Sequence, residues 1–176
     1  MKRSKAQKAA LTGILAAQAV ALSFLEGLLP TSAFLPPGVK PGFSNIVTMF
    51  CAETLGAGYA FGITLIKSLF AFLTRGVTAG FMSLAGGLLS TAVTCVLVKV
   101  KSKEIGYIGI AVPSAVCHNG AQLAVCILIT GTPEMVTYAP VLLISALLAG
   151  VLTGILLKAI MPVLIKQNNY FSKGVV

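Results

Sequence analysis

Three hydrogen-bonding side chains, His118, Asn119 and Gln122, fall within one turn of an otherwise apolar stretch between Ile105 and Thr130. On a helix, His118 and Gln122 share a face, and Asn119 lies close to it. Gly120 and Ala121 keep the neighbouring bulk low. Such groups need partners when lipid surrounds the helix, so the trio points to a polar cavity that binds a small molecule, where a single histidine would point to packing. Glu53 and Lys67 also lie within apolar sequence, on either side of Gly56-Ala57-Gly58. An ionisable group at membrane depth costs about 2.5–3.5 kcal/mol on insertion scales. The two are expected either to pair with each other across that break or to serve a ligand. Asn45 is expected to face the same space as the trio, with Lys67 or Arg75 assisting if the ligand is anionic.

Other chemistry has no support in the chain. There is no G-x-x-x-x-G-K-[ST] to cradle ATP phosphates, no serine elbow, no H-E-x-x-H, and no nicotinamide or flavin fingerprint. The four acidic residues are scattered and none is an aspartate, which leaves no clamp for magnesium and diphosphate. Cys51, Cys95, Cys117 and Cys126 sit in apolar segments without a C-x-x-C, and His118 directly after Cys117 is poor spacing for zinc. No catalytic residue, metal or cofactor is assigned, and a non-enzymatic role is expected.

The elements that must position these residues are membrane spans. Hydrophobic residues make up 57% of the 176, and charged ones 10%. Soluble domains carry about 25% charged residues, so lipid must cover most of this surface. The net charge of +9 is clustered at Lys2–Lys8, at Lys99–Lys103, and at Lys166 with Lys173. Each cluster abuts an apolar run with no interleaved aromatics, which fits topogenic charges and argues against nucleic acid.

The expected architecture is an all-α integral membrane protein with six transmembrane helices in a single membrane domain. The spans fall at about 9–29, 43–57, 59–74, 81–98, 105–130 and 138–165, with a Pro/Gly-rich loop over 30–42. The first stretch exceeds the 7–15 apolar residues of a signal peptide and is expected to be retained. Pro113 is expected to kink the fifth span. Six crossings place every basic cluster on one side, as the positive-inside rule requires. A re-entrant hairpin over 43–74 would preserve the same parity.

Helices in lipid approach through small residues. Ala9, Gly13, Ala17 and Ala21 form one stripe on the first span. Ser83, Gly87, Thr91 and Cys95 form another on the fourth, and Ala146, Gly150 and Gly154 a third on the sixth. Each serves either internal packing or the docking of a separate membrane subunit, and the first, the longest and most regular, is the best docking candidate.

The segments Pro41–Thr48 (PGFSNIVT), Ser83–Ser90 (SLAGGLLS) and His118–Leu123 (HNGAQL) resemble the motifs of the bacterial Gx transporters, a family often labelled heptaprenyl diphosphate synthase component I. The resemblance runs from about residue 9 to 160, with Lys40-Pro41-Gly42 followed by Phe-Ser where the family usually has Lys-Leu-Gly before its Asn-Ile. That family is similar to the S-components of energy-coupling factor (ECF) transporters. The resemblance implies a six-helix S-component-like bundle that binds a vitamin or related micronutrient from outside. It also implies a coupling transmembrane subunit docked on Ala9, Gly13, Ala17 and Ala21, two separate ATPase subunits, and a lid formed by Pro30–Gly42. Prenyl diphosphate synthases of the familiar kind resemble aspartate-rich bundles, so the enzyme label fits these residues poorly.

The expectation is therefore a substrate-binding subunit of an importer in the bacterial cell membrane, with both termini cytoplasmic. Asn45, Lys67, Arg75, His118, Asn119 and Gln122 are its candidate ligand contacts. The alternatives are a non-catalytic membrane subunit of an isoprenoid, quinone or electron-transfer assembly, and a stand-alone carrier using Glu53 and His118 for proton coupling.

Overall fold

The computed structural model describes residues 4–28, 43–100 and 105–172, with side chains through Lys166. Six α-helices follow in order: α1 (Lys5–Leu28), α2 (Ser44–Thr54), α3 (Ala57–Arg75), α4 (Val77–Val100), α5 (Tyr107–Thr130) and α6 (Ala139–Ser172). A 3-10 segment, Pro133–Tyr138, leads into α6. There is no strand among the described residues. Five of the helices are long and apolar enough to cross a bilayer. At 11 residues α2 does not reach across, since it rises only about 16 Å against a core of about 30 Å. The expected loop Pro30–Gly42 lies outside the described residues, as do Lys2, Arg3, Lys40, Lys101, Lys103 and Lys173.

Two glycines make the sharpest reversals. Gly56 joins α2 to α3 at φ 101°, ψ 172°, and Gly76 alone joins α3 to α4 at φ 88°, ψ 177°. Side-chain-bearing residues avoid that backbone region. A Cβ at either position would meet nothing within 4 Å, so the requirement is conformational and not steric. Gly56→Ala or Gly76→Ala is expected to cost about 1–3 kcal/mol, read as a lower melting temperature in detergent with helix content retained. Unchanged melting would show that the reversals tolerate other geometries.

Helices consecutive in sequence run antiparallel. Thr64 meets Thr91 between α3 and α4, and Thr94 meets Ser114 between α4 and α5. Gly150 and Gly154 lie against Val112 and Ile108 between α6 and α5. Near Gly76 the Phe72 ring covers Gly80 and stands edge-on to Phe81 with centroids 5.0 Å apart. The start of α1 and the end of α6 therefore lie at one end of the bundle, with Gly56. Lys5, Lys8, Lys99, Lys158 and Lys166 gather toward that end, and Arg75 ends α3 at the other.

The interior divides along the same axis. Toward the end where α1 starts and α6 ends, Leu15, Ala19, Phe50, Ile63, Ile110 and Leu157 belong to one apolar core. Toward the opposite end the buried side chains turn polar, with Glu26, Ser44, Lys67, Ser90, His118 and Gln122 all nearly inaccessible. Large apolar side chains such as Leu73 and Leu128 cover the outside, where lipid accepts them. The sequence of each helix sets this division. In α3 Ala60 and Ile63 precede Thr64, Lys67 and Ser68, and in α5 Ile110 and Ala111 precede Ser114 and His118.

Candidate functional site

The first part of the polar half is built where α1 ends against the start of α2. Phe43 precedes α2 without providing a side-chain cap, so the first backbone N–H groups of α2 need an outside acceptor. Glu26 of α1 supplies it. Its Oε1 accepts from the Ser44 backbone N–H at 2.9 Å, and its Oε2 accepts from the Ser44 hydroxyl at 3.5 Å. A carboxylate is favoured at a helix N-terminus. Lys67 of α3 reaches the same point, donating to Ser44 Oγ at 3.2 Å and to Asn45 Oδ1 at 2.8 Å. Lys67 is 3% exposed and Glu26 4%, so the two opposite charges are held in the interior and linked through Ser44.

The second part lies between α4 and α5. Gly86 and Gly87 remove bulk from two adjacent faces of α4. A Cβ on Gly86 would stand 2.8 Å from Gln122 Cγ and 2.9 Å from the His118 carbonyl oxygen, while one on Gly87 would stand 2.7 Å from Thr64 Cγ2. The double glycine thus sets α4 closely against α5 on one side and α3 on the other. His118 Nδ1 lies 3.3 Å from Ser90 Oγ, which in turn donates to the Gly87 carbonyl at 3.1 Å. A cavity of about 20 Å³ is bordered by Asn45, Thr48, Ser90, Thr94, Ser114 and Thr153. Asn45 of the first part and Ser90 of the second thus border one cavity, so the two parts adjoin. Among the described residues, the buried Thr48 and Ser68 hydroxyls and the Gln122 Oε1 have no hydrogen-bond partner. A ligand's donors are well suited to such oxygens, because leaving a buried polar atom unmatched costs about 1–3 kcal/mol.

The candidate residues are not all brought together. His118 and Gln122 face α4 as a pair. Asn119 turns to α6, where its Nδ2 donates to the Leu142 carbonyl at 3.3 Å. The trio is therefore split between two interfaces. The expected pairing of Glu53 with Lys67 does not form: Lys67 engages Ser44 and Asn45, and Glu53 accepts from the Tyr107 hydroxyl at 3.2 Å. In the hairpin about Gly56, Lys67 lies eleven residues after the turn and Asn45 eleven before it, whereas Glu53 is only three before. Two antiparallel arms bring residues equidistant from the turn side by side, which matches Lys67 to Asn45.

Glu26, Ser44, Thr48, Ser68 and Ser90 are parts of the site that sequence reasoning passed over. For Glu26 a signal existed, an acidic residue near the end of a bilayer-length apolar run. For the hydroxyls there was none, because serine and threonine are common in membrane helices and can bond their own backbone.

The three small-residue stripes have different fates. Ser83, Gly87, Thr91 and Cys95 are buried within the bundle, and Ala146, Gly150 and Gly154 are buried toward α5. Ala9, Gly13, Ala17 and Ala21 are all exposed, and a Cβ on Gly13 would meet nothing within 4 Å.

A family model described as heptaprenyl diphosphate synthase component I matches residues 15–160. The chain belongs to that family. The match covers every helix from within α1 into α6, and so includes the whole polar region. No curated protein and no solved structure matches the chain significantly. The family is named for a synthase component, and that name assigns no residue a role.

Proposed function

We propose that this protein is the substrate-binding membrane subunit, S-component-like, of an ECF-type importer for a small micronutrient or cofactor precursor. The observation that carries the reading is the polar region itself. Five helices contribute buried polar groups to one half of a lipid-embedded bundle, and the oxygens of Thr48, Ser68 and Gln122 have no partner among the described residues. Groups that are costly at membrane depth mark a substrate pathway more often than a packing device. Asn45, Lys67, His118 and Gln122 contact the ligand, Arg75 stands toward the entrance, and Asn119 braces the α5–α6 wall.

The clustering of Lys5, Lys8, Lys99, Lys158 and Lys166 supports a cytoplasmic location for the termini in the bacterial cell membrane. The polar half then faces outward. The exposed stripe of Ala9, Gly13, Ala17 and Ala21 docks a coupling transmembrane subunit, which links the protein to ATPase subunits.

Native mass spectrometry of the purified protein tests the reading. A small polar molecule is expected to co-purify, and the double variant His118→Ala, Gln122→Ala is expected to lose it while still folding. Retention of that molecule by the folded double variant would remove the site assignment. The family description favours a second reading, a non-catalytic membrane subunit of a prenyl diphosphate synthase assembly. Co-purification separates the two: coupling and ATPase subunits favour the importer, and a soluble synthase favours the assembly.

A further inference from the structure

The α5–α6 interface is tight at one end and open at the other. A Cβ on Gly154 would stand 2.5 Å from Ile108 Cα, and one on Gly150 would stand 2.7 Å from Val112 Cα. The backbones there touch. Further toward the 3-10 segment the helices leave a cavity of about 230 Å³ bordered by Val116, Asn119, Gly120, Leu123, Ala139 and Ala146, with Leu142 and Leu143. Its small residues are not used for close approach, since a Cβ on Gly120 would meet nothing within 4 Å. The lining is apolar except for one side chain. Asn119 is 6% exposed and spends its Nδ2 on the Leu142 carbonyl, which leaves Oδ1 with no partner among the described residues.

We propose that this wedge binds a neutral, membrane-dissolved amphiphile, its single hydrocarbon chain lying between α5 and α6 and its one hydroxyl donating to Asn119 Oδ1. Three features select that class. Leu143 at the rim is 48% exposed, on a surface that meets lipid, so entry is lateral from the bilayer. Apolar cavities of about 150 Å³ already admit benzene, so this one holds a chain segment somewhat larger. Asn119 lies near the middle of α5, at a depth that a hydroxyl reaches and a charged phospholipid headgroup does not. The site is separate from the proposed polar region, and neither assignment requires the other.

The test uses the full-length protein in phosphatidylcholine vesicles, photolabelled with a long-chain alcohol carrying a mid-chain diazirine. Adducts are expected on Val116–Leu123 and Ala139–Ala146, saturable and competed by unlabelled alcohol. Gly120→Phe should abolish them without lowering the melting temperature, because its side chain grows into open space. Asn119→Leu should weaken alcohol binding about tenfold, the loss of one hydrogen bond, while leaving a diazirine alkane unaffected. A diazirine phosphatidylcholine should not label the wedge. Adducts spread evenly around the bundle, or not competed in the wild type, would overturn the proposal. Wedge labelling by phosphatidylcholine alone would replace the amphiphile with an ordinary lipid. Loss of the polar ligand from Gly120→Phe would show that the two sites are not separate.

Discussion

Replacing Lys67 with methionine is expected to destabilise the protein by about 3 kcal/mol, and adding Glu26→Gln is expected to restore much of that loss. Methionine keeps the length and packing of the lysine stem while removing its charge. The damage then comes from Glu26, left 4% exposed beside the start of α2 with its lysine counter-charge gone. Removing one member of a buried ion pair costs about 3–5 kcal/mol, whereas replacing both members by neutral groups of similar shape is often mild. The lower end is appropriate here because the link runs through Ser44. Unfolding of the wild type, both single variants and the double variant in one detergent gives the coupling between the sites. A Lys67→Met protein that melts with the wild type would show that Lys67 does not hold Glu26.

The same pair shows how far the sequence could be read. The six-helix, all-α membrane fold was legible from apolar run lengths and from Gly56. The partner of Lys67 was legible in principle as well, by counting equal distances from Gly56 to reach Asn45; proximity in sequence suggested Glu53 instead. The split of the His118 trio follows from helix geometry. Successive residues turn by about 100°, so His118 and Gln122 stay together while Asn119 swings to the next interface. Two things were not legible. Glu26 meets Ser44 across a gap of 18 residues, and no local pattern encodes such a long-range approach. The stripes on α1, α4 and α6 also look alike as sequence, yet two are internal and one faces outward. That difference depends on which helices are neighbours, which only the assembled bundle decides.

Of Gly86, Gly87 and Gly120, Gly86 is expected to tolerate valine least, and Gly86→Val is expected to eliminate retention of the polar ligand. Its Cβ would stand 2.9 Å from the His118 carbonyl oxygen and 2.8 Å from Gln122 Cγ. The first contact is backbone, which cannot swing aside, so α4 and α5 must separate. Overpacking of this kind costs about 1–3 kcal/mol and sometimes more. At Gly87 the nearest obstacle is the Thr64 methyl group, 2.7 Å away, and a rotamer change relieves part of the clash. Gly120 meets nothing and should tolerate substitution. Melting temperatures of the three Gly→Val variants should therefore rise in the order Gly86, Gly87, Gly120. Ligand retention should not follow that ranking in proportion. Separating α4 from α5 pulls Ser90 away from His118 and moves Gln122 out of register, so Gly86→Val should lose the ligand at temperatures where it is still folded. If it retains the ligand whenever folded, the α4–α5 seam is packing alone and the ligand contacts must lie elsewhere.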